Sequence, residues 1–310
     1  MKITVVGGAG AMGGVWASRL SAAGHDVAIL DIARDALAAI ARDGLVVEQK
    51  DGTSTSTRIT ATDQPDQIGV SDAIIFFTKA HYTGVAADLA RPLVDPRTTV
   101  VSLQNGWGNA DTLTKVFPAE QIVMGVTYHS AKVVAPGRIA HTADAGPTFI
   151  GPYQDGAPLD RAIAVGAAMT GAGLTTTVTP EVKIEVWKKL VLNCATLPIA
   201  SLTRLTTGAI GANEPVLQVC DALASEASAV ARALGIDVDT DERIATIRGL
   251  VAKGGPGKAS MLQDVEAQRK TEIEVVNGAV VREGDRLGVP VPLNRAMVAL
   301  VGGLERSWRP

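Results

Sequence analysis

The first 150 residues alternate short, continuously apolar runs with segments of helical spacing. Residues 3–6 and 27–30 are β-rich runs, and the helical stretch at 13–23 between them ends at Gly24. AIIFF at 73–77, TTVVSL at 98–103 and residues 122–126 follow. Apolar runs without alternation predict strands covered on both faces, as in a parallel sheet. A βαβ series of this kind predicts a doubly wound α/β domain. Residues 45–49 and 58–61, joined by the polar DGTSTST, read as a hairpin inserted after the second helix. Between 133 and 150, Gly137, Gly146 and Pro147 separate β-rich pieces with an antiparallel look. The step Thr179-Pro180 then marks a boundary, and from about Glu181 helical periodicity takes over. The expectation is an α/β domain of Rossmann type over 1–179 and an all-helical domain over 180–310.

The turn after the first run carries Gly8, Gly10 and Gly13 in the spacing G-x-G-x-x-G, with Ala11 and Met12 between. A strand precedes it, a helix follows, and the second strand ends at Asp31, which is the full context of a dinucleotide-binding fingerprint. In that reading Gly8 permits the tight turn, Gly10 lets a pyrophosphate approach the backbone, and Gly13 lets helix and strand pack closely. A helix N-terminus then faces the phosphates with its free N–H groups. Asp31 would accept hydrogen bonds from a ribose diol and repel a 2′-phosphate, so NAD is expected rather than NADP, with Arg34 as the cation that could reverse the choice. Capping of the following helix is the structural role open to Asp31, and the two roles are compatible.

In the second half, Glu185, Lys189 and Asn193 are spaced four apart and share one helix face. Asn193 is the only polar residue of LVLNCA, and a buried amide must find partners. Ser260 with Gln263 has capping-box spacing, and the helix it opens could seat a substrate carboxylate. Glu272 falls in helical register with Val265, Val276 and Ala279, a stripe expected to be buried. A carboxylate there implies an ion pair or a pocket.

Composition narrows the class. Of 310 residues, 46% are hydrophobic and 20% charged, enough for a substantial core and too apolar for a disordered chain. Lys plus Arg number 29 against 32 Asp plus Glu, a net charge of -3 that argues against a nucleic-acid partner. No run reaches the roughly 18–20 apolar residues of a membrane span. The N-terminal stretch is broken by glycines, unlike a signal-peptide core. Cys194 and Cys220 are too few for a disulfide scaffold, so a reduced, cytoplasmic setting is expected. The four histidines show no zinc spacing, no metal site is expected, and His129 is read as structural.

The motifs MKITVVGGAGAMGG, FFTKAH, LQNGWG, VWKKLVLNC and SMLQDVEAQRKTEIEVVNG together resemble the ketopantoate reductases (2-dehydropantoate 2-reductases), essentially end to end. The resemblance implies a Rossmann-type domain, a helical domain and an active site in the cleft between them. It implies that Lys189 is the general acid that protonates a carbonyl oxygen as hydride arrives, and that Glu272 positions lysine and substrate. It places Ser260 at the substrate carboxylate and Asn193 in the pocket. Asn105 and Lys79 would sit near nicotinamide and substrate, serving both. The implied ligand is a small 2-oxo or 2-hydroxy acid, and the implied assembly a homodimer.

Three positions depart from the family. Asp31 replaces the basic residue of NADPH-using members, while Leu197 and Thr207 stand where ketopantoate-reducing members carry asparagines. Lost amides change what a pocket accepts. A related NAD-dependent dehydrogenase of another hydroxy acid or alcohol is therefore the alternative, and a non-catalytic NAD-sensing module is the alternative of another class.

Overall fold

The apolar runs of the first half become the strands of one eight-stranded sheet. In the computed structural model, which describes residues 1–308, the chain runs β1 (Lys2–Val6), α1 (Ala11–Ala22), β2 (Asp26–Leu30), α2 (Arg34–Asp43), β3 (Leu45–Glu48), β4 (Ser54–Thr57), β5 (Thr60–Thr62) and β6 (Ala73–Phe76). It continues through α3 (Thr83–Ala90), β7 (Thr99–Ser102), α4 (Asn109–Leu113), β8 (Ile122–Val126), β9 (His129–Ala135), β10 (Arg138–Asp144), β11 (Thr148–Pro152), α5 (Asp160–Gly171) and β12 (Thr176–Val178). Seven helices follow: α6 (Val182–Thr203), α7 (Thr207–Gly211), α8 (Glu214–Ala233), α9 (Thr240–Ala252), α10 (Ser260–Glu266), α11 (Asn277–Leu287) and α12 (Pro292–Arg306). Two units result, one of residues 1–104 and 109–182, the other of residues 105–108 and 183 onward.

In the first unit the main sheet has the order β12-β11-β8-β7-β6-β1-β2-β5. All its pairings are parallel except β8 with β11. β6 and β7 are buried along their whole length, which is why their sequences run apolar without alternation. The chain winds outward from β1 through β2 and later resumes on the other side of β1 at β6. The β1/β6 gap is thus the topological switch point, the crevice where open α/β sheets bind ligands.

A second sheet, β4-β3-β10-β9, corrects the expected hairpin. β3 pairs antiparallel with β4, the polar Ser54–Thr57, rather than with residues 58–61. Residues of that later segment instead enter β5, parallel to β2 at the edge of the main sheet. The partner strand is almost entirely exposed and so carries no apolar signal, only the β-branched Thr55 and Thr57. His129 belongs to this sheet: its Nδ1 lies 3.0 Å from His141 Nε2 and its ring meets Trp16 edge-on at 5.0 Å.

The second unit contains helices and connecting loops, with no strand among its described residues. Its core gathers Trp187, Leu190, Val191, Leu223 and Val280, each 0–1% exposed. Pro198 lies inside α6 and has no N–H to give to the carbonyl of Cys194, one turn back. The fully buried Asn277 fills that gap, donating from Nδ2 to Cys194 O at 3.0 Å and to Asn294 Oδ1 at 2.9 Å. Asn294 Nδ2 donates onward to Leu223 O and Glu226 Oε2 at 3.2 and 2.8 Å. The Glu226 carboxylate also accepts the N–H groups of Leu293 and Asn294 at 3.0 and 2.9 Å, capping α12 from another helix. One buried polar network therefore ties α6, α8, α11 and α12. Cys194 and Cys220 are buried and unbonded. No helix among the described residues is long and apolar enough to cross a membrane.

Candidate active site

In the first unit, the glycine loop sits beside the switch point. Its left-handed residue is Gly7, at φ +79°, and a Cβ there would lie 2.9 Å from Thr78 N. The tight turn expected at Gly8 thus belongs one residue earlier, where the doubled glycine hid it. Gly13 has the close-packing role assigned to it, since a Cβ there would come within 2.5 Å of Gly7 O. Gly10 is the N-cap of α1, with no side-chain cap and no acidic residue in the first turn. The first-turn N–H groups, at Ala11, Met12 and Gly13, have no acceptor within the helix. A bare, uncapped helix end with a positive dipole is chemically suited to an anion such as a pyrophosphate.

Asp31 closes the far side of this loop. Its Oδ2 accepts the N–H of Ala9 at 3.0 Å, and its Oδ1 accepts those of Ile32 and Ala33 at 2.8 and 3.0 Å. It braces the loop and the turn after β2, and it does not cap α2, whose N-cap is Ala33. A carboxylate has about four acceptor sites, so these three bonds leave room for a hydroxyl donor. Arg34 is exposed on the first turn of α2. Lys79 follows β6, half-buried, in the loop whose Phe77 N–H donates to Val6 O at 2.9 Å.

In the second unit, Lys189 and Asn105 come together across 84 residues of chain: Lys189 Nζ donates to Asn105 Oδ1 at 2.9 Å. An ammonium offers only donors, so the Asn105 oxygen must face it and the NH2 end points away. Burial lowers the Lys189 pKa from 10.5 to about 8, opposed by the nearby Glu272 carboxylate. A lysine so placed exchanges a proton near neutral pH.

Asn105 is held by its own loop. Trp107 N–H donates to Val275 O at 2.9 Å, its ring packs on Trp187 at 5.5 Å, and Gly106 takes φ +90°. A Cβ on Gly106 would lie 2.4 Å from Val275 O, so only glycine allows this approach.

Three expected positions differ in setting. Glu272 is not on a helix: it lies, half-buried, in the irregular segment 267–276 between α10 and α11. Gln268 at φ +50° ends α10, and Arg269 folds back on it through its N–H to Asp264 O at 2.8 Å. Ser260 is the first residue of α10 and exposed; Ala259 is the N-cap and there is no side-chain cap, while Gln263 Nε2 donates to Lys258 O at 3.0 Å. Thr207 N–H and Oγ1–H both donate to Gly257 O, at 2.8 and 3.0 Å, so this side chain secures the glycine-rich loop 254–257. Asn193 is 8% exposed, one turn beyond Lys189 on α6, as its spacing implied. Glu185, on the same face, pairs with Lys188 at 2.8 Å. Leu197 is 9% exposed and packs in the helical core.

A Rossmann-type sheet with an uncapped glycine-rich helix start, joined to a helical unit that carries a desolvated lysine, defines a two-unit dinucleotide-fold class. Residues 3–155 match the family described as ketopantoate reductase PanE/ApbA, and residues 181–305 match its C-terminal counterpart. The chain belongs to the ketopantoate reductase family. It is 32% identical over 303 residues to the 2-dehydropantoate 2-reductase of Halobacterium salinarum, covering 98% of this chain and 99% of the relative. The structure of a PanE/ApbA family ketopantoate reductase from Ralstonia eutropha JMP134 is 30% identical, with 100% of both chains covered and a TM-score of 0.89. The ternary structure of D-mandelate dehydrogenase with NADH and anilino(oxo)acetate is 26% identical, with 99% of both chains covered and a TM-score of 0.94.

Proposed function

We propose that this protein interconverts a 2-oxo acid and its 2-hydroxy acid, with NAD(H) as cofactor and Lys189 as the proton-transferring group. The observation that carries the proposal is the Lys189 cluster: an ammonium held on Asn105 and favoured by the Glu272 carboxylate, its pKa lowered by burial to about 8. At that pKa both protonation states are populated near neutrality, which suits proton donation in reduction and proton removal in oxidation. When bound, the nicotinamide supplies or accepts the hydride at the 2-carbon. The glycine loop, with Gly8, Gly10, Ala11, Met12 and Gly13, would hold the pyrophosphate, and Asp31 the adenosine ribose. Lys79 and Asn105 would approach the nicotinamide and substrate. Asn193 would hydrogen-bond substrate, Ser260 would hold the carboxylate, and Glu272 would keep Lys189 charged and aimed.

The carboxylate of Asp31 supports NAD over NADP, because a 2′-phosphate beside it would meet like charge. The NADH-bound likeness to D-mandelate dehydrogenase points the same way. Leu197 favours a second substrate reading. It offers no amide to a substrate hydroxyl, so 2-oxo acids with an apolar substituent are included alongside 2-dehydropantoate. Homodimerisation is part of the proposal through family membership. Initial rates with 2-dehydropantoate and with an aryl 2-oxo acid, each with NADH and NADPH, test the reading. Turnover with NADH on either acid supports it, turnover with NADPH alone overturns the cofactor assignment, and tight NADH binding with no turnover on any 2-oxo acid overturns the activity.

A further inference from the structure

The segment 267–276 has no helix or strand ladder of its own, yet it presents two groups to the Lys189 cluster. One is the Glu272 carboxylate, which opposes the desolvation of Lys189. The other is Val275 O, which receives Trp107 N–H and so holds the loop that aims Asn105 at the ammonium. Something must fix the path of this segment, and its internal bonds begin at Thr271. Thr271 Oγ1 accepts the N–H of Ile273 at 3.2 Å, and the N–H groups of Val275 and Val276 both reach Glu272 O at 3.1 Å.

Thr271 is 2% exposed, and both of its donors end on one atom. Its N–H and its Oγ1–H reach Glu305 Oε1 at 2.7 and 2.6 Å. Charge-assisted bonds of this length are among the stronger ones available to a side chain. Glu305 lies in the last turn of α12, a helix whose other end is fixed by Glu226 and by the Asn277–Asn294 network. The anchor is therefore itself held at its far end.

We propose that Glu305 is a positioning residue for Lys189: by pinning Thr271 it sets the path of 272–275, and with it both the carboxylate and the asparagine that face the ammonium. The inference rests on the Lys189 reading above and assigns a role to a residue 33 positions beyond Glu272, whose carboxylate holds Thr271. The charged groups named around Lys189 are Glu272 from the irregular segment and, on α6 itself, the Glu185–Lys188 pair. Releasing Thr271 lets Glu272 retreat, and Lys189 then loses its proton at lower pH.

The test reads Lys189 directly in the full-length protein. Trace acetylation across about pH 6 to 10, followed by mass spectrometry of the Lys189 peptide, gives its titration midpoint without any turnover. Glu305→Ala is expected to lower that midpoint by about half a pH unit or more. Glu305→Gln keeps an oxygen that accepts the same two donors, and its midpoint is expected to stay near the wild-type value. Reduction rates should follow: kcat falls several-fold in Glu305→Ala while the KM for NADH holds, and Glu305→Gln restores it. An unchanged midpoint in folded Glu305→Ala overturns the proposal. Equal shifts in both variants overturn it too, because the effect is then the charge of Glu305 and not its hold on Thr271. Should Glu305→Ala fail to fold, Thr271→Val removes the hydroxyl's bonds to Glu305 and Ile273 while keeping the backbone N–H bond to Glu305, and an unchanged Lys189 midpoint in that variant overturns the proposal. Since labelling needs no catalysis, a failure of the proton-transfer reading leaves this result intact, and the reverse holds as well.

Discussion

Replacing Glu272 by glutamine removes a charge while keeping the size of the side chain, and its effect follows from the balance at Lys189. Burial lowers that pKa from 10.5 to about 8 against the pull of Glu272. At about 1.36 kcal/mol per pH unit, the net penalty on the ammonium is about 3 kcal/mol. An opposite charge a few ångströms away supports a charged group by roughly 1–3 pH units. Taking about 1.5, the midpoint in Glu272→Gln falls to roughly 6.5. At about pH 7.5 the protonated fraction then drops from about three-quarters to about one-tenth, an approximately eight-fold loss in reduction from ionisation alone. At a fixed pH the rates of the two directions change in opposite senses, although both limbs shift the same way. Reduction needs the ammonium, so its falling limb moves to lower pH; oxidation needs the free amine, so its rising limb moves to lower pH as well. Initial rates in both directions at saturating cofactor, over about pH 5.5 to 9.5, read the midpoint. A midpoint that stays put or rises in a folded Glu272→Gln protein refutes the assigned interaction.

Two further outcomes follow from the structure. Asp31→Ala should weaken NADH binding and relax discrimination against NADPH, and the lost bond to Ala9 N–H should also cost about 1 kcal/mol of stability; cofactor titrations and thermal unfolding check both. Asn277→Ala should leave Cys194 O, beside Pro198, and Asn294 Oδ1 without their amide donor, destabilising the protein by about 2–4 kcal/mol, measurable by urea unfolding.

Much of the architecture was legible because its cues are local. The unalternating runs at β1, β6 and β7, the glycine loop and the four-residue spacing of Lys189 and Asn193 each depend on residues close in sequence. What escaped depends on distant partners. Glu272 matched a helical stripe because Val265, Val276 and Ala279 lie at helical intervals from it, but the segment is irregular, and the N–H of its Thr271 donates to Glu305, 34 residues later. Asn277 gives no sign in sequence that it repairs the backbone gap made by Pro198. β4 was missed because exposed serines and threonines lack the apolar pattern that marks a covered strand. At Gly7 and Gly8 the composition was right and the register one residue off, since only φ reveals which glycine turns the chain. Thr207 was read for a lost amide, and its bonds to Gly257 O add a loop-holding task that only the fold reveals.

The central claim is that Lys189 moves the proton. Lys189→Ala, assayed beside wild type with NADH and an accepted 2-oxo acid, tests it most directly when NADH affinity is measured on the same samples. The account predicts turnover lower by roughly 10²–10⁴-fold with NADH binding essentially unchanged. Near-full turnover in the variant contradicts it.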